Sequence, residues 1–121
     1  MVLDTNILIA YLGEDAKVVH AIQEWFSQHV SLFISAVSYA EVLALPEASA
    51  ADLAKIREFL GYFVIVDVDK DLAESIATIR RAYKLKFADA AIAATALRSH
   101  SALVTRDKQF RKVNEIQVLS L

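Results

Sequence analysis

The sequence predicts an α/β fold: one domain built on a parallel sheet with helices packed against it. Three observations lead there. Short apolar runs alternate with longer amphipathic stretches along the whole chain, the pattern of repeated strand–helix units. The 121 residues include two glycines, one proline and no repeat or low-complexity stretch, so residues 1–121 contain no linker at which to divide them. A hydrophobic content of 56% is ample for a single core at this length.

The elements follow in order. Val2 and Leu3 form a first strand ending at Asp4, and Asn6 to Leu12 a short helix. Asp15 to Val30 sets Val18, Val19, Ile22, Trp25, Phe26 and His29 on one helical face. Leu32 to Ser35 is the second strand. A helix from Val37 to Leu45 stops at Pro46, and another runs from Ser49 to Phe63, with Ser49 and Asp52 at the spacing of a reciprocal cap. Val64 to Val68 is strand three. Asp71 to Leu85 is a long helix that turns Leu72, Ile76, Ile79 and Tyr83 inward, and Asp89 to His100 an alanine-rich one. Ala102 to Thr105 is strand four, Phe110 closes a short turn, and Ile116 to Leu119 is strand five.

Composition narrows the chemistry. The absence of cysteine excludes disulfides, thiolate zinc and thiol catalysis, and it fits a reducing compartment. No apolar run reaches the ~18 residues of a membrane span, and the first residues lack the basic segment of a secretory signal. A cytoplasmic protein is the expectation. The formal net charge of −2 conceals an asymmetry: residues 1–60 carry eight acids and three bases, residues 61–121 seven acids and ten bases. Nine of those bases, Arg80, Arg81, Lys84, Lys86, Arg98, Arg106, Lys108, Arg111 and Lys112, are opposed locally only by Asp89 and Asp107. Such a segment is either a solvated face or a surface for a polyanion such as nucleic acid.

Four carboxylates stand out from their surroundings. Asp4 and Asp107 follow short strands, while Glu41 and Asp89 sit in otherwise uncharged helical segments. Glu41 shares a face with Val37, Ala40 and Ala44, a face that a solvated charge should avoid, and Asp89 shares one with Ile92, Ala93 and Ala96. Each aspartate also has an ordinary reading: Asp4 as a helix cap, Asp89 as a first-turn acid on the helix dipole, Asp107 as a turn residue. Taken together, a half-buried group of acids without cationic partners is costly, and a hard divalent cation compensates it best. In an open parallel sheet such groups meet beyond the carboxyl ends of the strands, where strand order reverses. A metal-dependent phosphoryl-transfer or nuclease site is therefore expected. His20, His29 and His100 have no ligand-like spacing.

The same residues resemble a known family. Asp4-Thr5-Asn6, Ser35 with Glu41 six residues on, Leu85-Lys86-Phe87-Ala88-Asp89-Ala90-Ala91-Ile92-Ala93, and Leu103-Val104-Thr105-Arg106-Asp107-Lys108-Gln109-Phe110 are similar, in order and spacing, to the four blocks of the PIN-domain ribonucleases. The short single-domain form resembles the VapC toxins of type II toxin–antitoxin pairs. Two positions depart from the pattern: Ala88 replaces a common proline, and Gln109 replaces a frequent acid. The resemblance implies a five-stranded parallel sheet in the order 3-2-1-4-5 and an endoribonuclease activity that inhibits translation. It implies one or two Mg²⁺ or Mn²⁺ ions held by Asp4, Asp89 and Asp107, with Glu41 as a further ligand or as the group orienting a water. Thr5, Asn6 and Thr105 would support these acids, and Arg106, Lys108 and Arg111 would contact the RNA backbone. It also implies a homodimer and a cognate antitoxin, for which the apolar, aromatic stretch Leu43 to Phe63 is either a docking place or ordinary core.

Other classes fit less well. A haloacid-dehalogenase phosphatase needs a second aspartate where this chain has Asn6, and a receiver domain needs a lysine after its fifth strand, where none follows Leu119. A non-catalytic RNA- or protein-binding module on the same scaffold would have no need of all four acids.

Overall fold

The computed structural model describes residues 1–121. Five parallel strands, β1 (Val2–Leu3), β2 (Phe33–Ser35), β3 (Val64–Val66), β4 (Leu103–Val104) and β5 (Val118–Leu119), form one sheet in the order 3-2-1-4-5. Six α-helices surround it: α1 (Thr5–Leu12), α2 (Ala16–Ser27), α3 (Ala36–Leu43), α4 (Ala50–Leu60), α5 (Lys70–Tyr83) and α6 (Phe87–Arg98). A 3-10 helix spans Lys108–Lys112. No helix is long and apolar enough to cross a membrane.

The sheet divides the core in two because successive side chains of a strand point to opposite faces. Val2 and Leu103 join Leu72, Ile76 and Ile79 of α5 and the buried run Ala90 to Ala94 of α6. Leu3 and Val104 face the other way, onto Ile7, Leu8, Val18, Ile22, Val42, Ile56 and Leu60. Every residue of α6 from Ala90 to Ala96 is buried, and alanine is what allows a helix to lie so close to its neighbours on all sides. The only carboxylate of that helix, Asp89, falls in its first turn, at the sheet edge where the strands end.

Several boundaries differ from the sequence expectation. Helix α6 begins at Phe87 and not Asp89, α5 begins at Lys70, β3 ends at Val66, and β5 lacks Ile116 and Gln117. Phe110 does more than close a turn: it is fully buried and anchors the 3-10 helix in the core. His29 lies beyond the end of α2, exposed, and does not share that helix's inner face. The expected Ser49–Asp52 capping box is present, with Asp52 N–H donating to Ser49 Oγ at 3.1 Å and Ser49 N–H to Asp52 Oδ2 at 3.0 Å.

Candidate metal centre

Asp4 occupies the N-cap position of α1, yet its side chain makes no capping hydrogen bond. Its Oδ2 accepts instead from the Thr105 hydroxyl at 2.7 Å, across the β1–β4 pairing, with both residues buried. Burial pushes the Asp4 carboxyl up from the ordinary carboxylate range; the Thr105 hydroxyl opposes that, and the charges of Asp89 and Asp107 add to it. The helix-cap reading of Asp4 thus fails on geometry, and no cation pairs with it.

Asp89 and Asp107 reach the same place from α6 and from the turn after β4. Asp89 is half-buried, and its carboxyl too is raised, first by burial and next by repulsion from Asp107, with Glu41 adding a smaller repulsion. Lys86, at the N-cap of α6, partly offsets this but forms no ion pair. Asp107 caps the 3-10 helix by accepting from Gln109 N–H at 3.0 Å, so its turn role and its place in the acid group coexist.

Glu41 joins the group from α3, but not as its neighbours suggested. It is exposed, and so are Ala40 and Ala44 on the same face; Ser38 and Val42 are the buried residues of that helix. Ala40 and Ala44 therefore line open space, while Val37 at the start of the same face packs half-buried against the core. Thr5 ties Glu41 to the site: its hydroxyl donates to Glu41 Oε1 at 2.8 Å and lies 2.8 Å from Ser38 Oγ. Because a hydroxyl has one proton and a carboxylate can only accept, Ser38 supplies the proton of the second contact.

Thr5 and Thr105 thus each donate to one acid, whereas Asn6 is exposed and enters none of these hydrogen bonds. Two residues escaped the sequence reading. Ser38 carried no signal, and Gln109 figured only as a departure from a pattern. The Gln109 side-chain nitrogen in fact donates to Asp89 Oδ2 at 3.0 Å and to Asp107 Oδ2 at 2.6 Å.

The basic segment is dispersed. Arg98 makes a bidentate pair with Asp69, and Arg80 donates to the Leu85 carbonyl. Arg106 is paired with Asp15 through both terminal nitrogens, at 2.8 and 3.2 Å, and donates from Nε to the Leu121 carbonyl. Lys108 and Arg111, on the 3-10 helix that follows Asp107, are exposed and engaged in no ion pair.

The donor set is all oxygen, anionic and in no ion pair, which suits Mg²⁺ or Mn²⁺. No three acidic side chains form a ready-made cage, so an ion here needs water to complete its shell, as Mg²⁺ ordinarily does.

A PIN domain family model matches residues 1–116. Among solved structures, a toxin–antitoxin complex from Klebsiella pneumoniae contains a chain 30% identical to this one, with a TM-score of 0.82 over 98% of this chain and 94% of that one. FitAcB from Neisseria gonorrhoeae is 25% identical, with a TM-score of 0.75 and coverage of 98% and 95%. VapBC2 from Rickettsia felis, bound to a DNA fragment from its promoter, shares the fold at 18% identity, with a TM-score of 0.83 and coverage of 98% and 96%. No curated protein matches. With its strand order and a family match over residues 1–116, the chain belongs to the PIN-domain family.

Proposed function

We propose that the chain is a divalent-metal-dependent endoribonuclease that hydrolyses RNA phosphodiester bonds, and the translation-inhibiting toxin of a toxin–antitoxin pair. The observation that carries this reading is the convergence of Asp4, Glu41, Asp89 and Asp107 at one sheet edge, with no ion pair to any of them. Asp4, Asp89 and Asp107 are the ligands of one or two Mg²⁺ or Mn²⁺ ions. Such an ion, when bound, lowers the pKa of water and counters the charge that develops on the attacking and leaving oxygens of a phosphodiester.

The protein's own groups do the rest. Thr105 fixes the Asp4 carboxylate and Thr5 fixes Glu41. Glu41, exposed at the open side with Oε2 free of protein donors, either ligates or orients the attacking water. Lys108 and Arg111 contact backbone phosphates, which positions RNA without specifying its sequence. Single-stranded loops are the accessible substrates. Arg106 is already satisfied by Asp15 and contributes less than its place in the sequence suggested.

A cognate antitoxin is supported by the toxin–antitoxin complex that this chain resembles at 30% identity. In the stretch Leu43 to Phe63, Ile56, Phe59, Leu60 and Phe63 are core, while Tyr62 is 65% exposed beside Phe26 and lines a groove with Tyr11 and Phe59. A homodimer is supported by exposed Phe87 next to the small-residue face of α5 at Ala73 and Ala77. The proposed setting is the cytoplasm, where RNA is cut.

The test is cleavage of a fluorescent single-stranded RNA by wild type and Asp4→Asn, with Mg²⁺ and with chelator. Wild type should cleave only with metal, and Asp4→Asn not at all while keeping its circular dichroism spectrum. Full activity of Asp4→Asn in saturating Mg²⁺ refutes the assignment.

A further inference from the structure

Gln109 makes three hydrogen bonds to two acids. Its side-chain nitrogen donates to Asp89 Oδ2 at 3.0 Å and Asp107 Oδ2 at 2.6 Å, and its backbone N–H donates to Asp107 Oδ1 at 3.0 Å. A primary amide has two N–H hydrogens, so it can serve both carboxylates at once. It brings no charge of its own. Two carboxylates from different segments, α6 and the turn after β4, are thereby held against their mutual repulsion.

The pattern of occupied oxygens gives this bridge a purpose. Thr105 is the one side chain that donates to the Asp4 carboxylate, at Oδ2, with the Thr5 backbone N–H as a further donor; Gln109 takes Oδ2 of Asp89 and leaves its Oδ1 without a donor. Both oxygens of Asp107, by contrast, are engaged by residue 109. Asp4 and Asp89 therefore face an ion with lightly engaged carboxylates, while Asp107, fixed in direction from both sides, keeps a second lone pair on each oxygen for ligation.

We infer that Gln109 is a positioning residue for divalent-cation binding: by donating to Asp89 and Asp107 together, it sets the spacing of these carboxylates and the direction of the free Asp89 oxygen. The inference rests on the metal centre proposed above. Alanine at 109 leaves the two carboxylates unbridged. Glutamate has nearly the same shape but no donor at neutral pH, and it places a third negative charge beside the other two.

Binding of Mn²⁺ to the full chain at pH 8 is read from the electron paramagnetic resonance signal of free aqueous Mn²⁺, for wild type, Asp4→Asn, Gln109→Ala and Gln109→Glu, alongside metal-free melting temperatures. Loss of a group that orients a metal ligand costs about 10- to 100-fold in affinity, so Gln109→Ala should bind Mn²⁺ at least about 10-fold more weakly than wild type. Gln109→Glu should melt lower than wild type without metal and gain more from Mn²⁺, because its added carboxylate repels in one state and can ligate in the other. A side chain that merely fills space would shift melting in both variants and leave the Mn²⁺ Kd alone. An unchanged Kd in Gln109→Ala, or an unchanged metal-free melting temperature in Gln109→Glu, overturns the inference while leaving the metal centre standing. Equal Mn²⁺ binding by wild type and Asp4→Asn overturns the centre itself, and the inference with it.

Discussion

Thr105→Val isolates what one hydroxyl does for the buried Asp4. Valine has nearly the shape of threonine, so the change removes a donor with little change of volume. The hydroxyl donates to Asp4 Oδ2 at 2.7 Å, and its oxygen accepts from Asp107 N–H at 3.0 Å. Thr105 is 1% and Asp4 3% exposed, so water cannot easily replace the lost donor. A hydrogen bond to a charged group contributes about 1.5–3 kcal/mol. The new methyl returns less than about 1 kcal/mol by burial, leaving an expected net loss of about 2 kcal/mol in the metal-free protein at pH 8. The loss depends on pH. Thr105 lowers the Asp4 pKa against the larger effect of burial, so its removal raises that pKa further. A carboxyl whose folded pKa lies above its unfolded value binds more protons folded than unfolded, and its contribution to stability falls as pH rises through that interval. The Thr105→Val deficit should therefore be smaller at pH 4 than at pH 8. Urea denaturation at both pH values measures it, and Asp4→Asn closes a double-mutant cycle: without the charge, the deficit should shrink to about 1 kcal/mol, the worth of a neutral hydrogen bond. Equal deficits at the two pH values, together with strict additivity in the cycle, would refute the link between hydroxyl and charge.

Two other perturbations test the charge assignments away from Asp4. The Arg98 guanidinium holds the Asp69 carboxyl down at about 2, so Arg98→Ala should return it toward ~3.9 in an NMR titration; because a depressed pKa stabilises above the unfolded value and that stabilisation is lost as pH falls toward 2, wild type and variant should differ at pH 7 and converge in strong acid. An Asp69 titration unmoved by the substitution would mean that the pair does not persist in solution. For RNA binding, measured by fluorescence anisotropy across a KCl series in the Asp4→Asn background, Lys108→Ala with Arg111→Ala should weaken many sequences alike and flatten the salt slope by about 1.4, from ~0.7 per phosphate contact. Arg106→Ala, whose charge Asp15 already matches, should leave that slope in place, and the reverse ranking would show that Arg106 leaves Asp15 to meet RNA.

Much of the fold was legible because its strands are short runs of Val, Leu, Ile and Phe set between amphipathic stretches. The ends were less so. Four residues other than glycine take a left-handed backbone, Glu14, His29, Lys84 and His100, just past the ends of α1, α2, α5 and α6. A side chain there costs roughly 1–2 kcal/mol, and none of the four positions is the glycine that normally marks such a stop. Strand order was not readable from the residues themselves. It came through the resemblance, because the pairing of β1 with β4 joins segments about a hundred residues apart.

The site was legible where a charge contradicted its surroundings and illegible where only the folded arrangement creates the contact. Asp4 and Asp89 are buried or half-buried, with carboxyl pKa values raised by that burial. Glu41 satisfied the same test for a different reason: alanine is apolar but small, and Ala40 and Ala44 line an open edge as readily as a core. Arg106 looked free because its partner, Asp15, lies 91 residues away. Gln109 looked like a lost carboxylate because its two partners meet it only when α6 docks beside the turn after β4.

The sheet order explains why these four acids meet at all. From β1 the chain passes through α1 and α2 to β2 on one side, and from β4 it passes through the 3-10 helix to β5 on the other. The connections leaving β1 and β4 therefore diverge, opening a crevice between the first residues after each strand, Asp4 and Thr105 with Asp107. Helix α6 packs against β1 and β2 with Asp89 in its first turn, and α3, packed on α6, carries Glu41. The four acids come from four separate segments, each anchored by its own buried residues: Leu3, Val42, Ile92 and Phe110. Repulsion among the acids is opposed by that packing and by three neutral donors, Thr5, Thr105 and Gln109. A cation entering the crevice would add a direct ion contact that no side chain makes with these acids, so that binding and stability would be coupled at this edge by mass action.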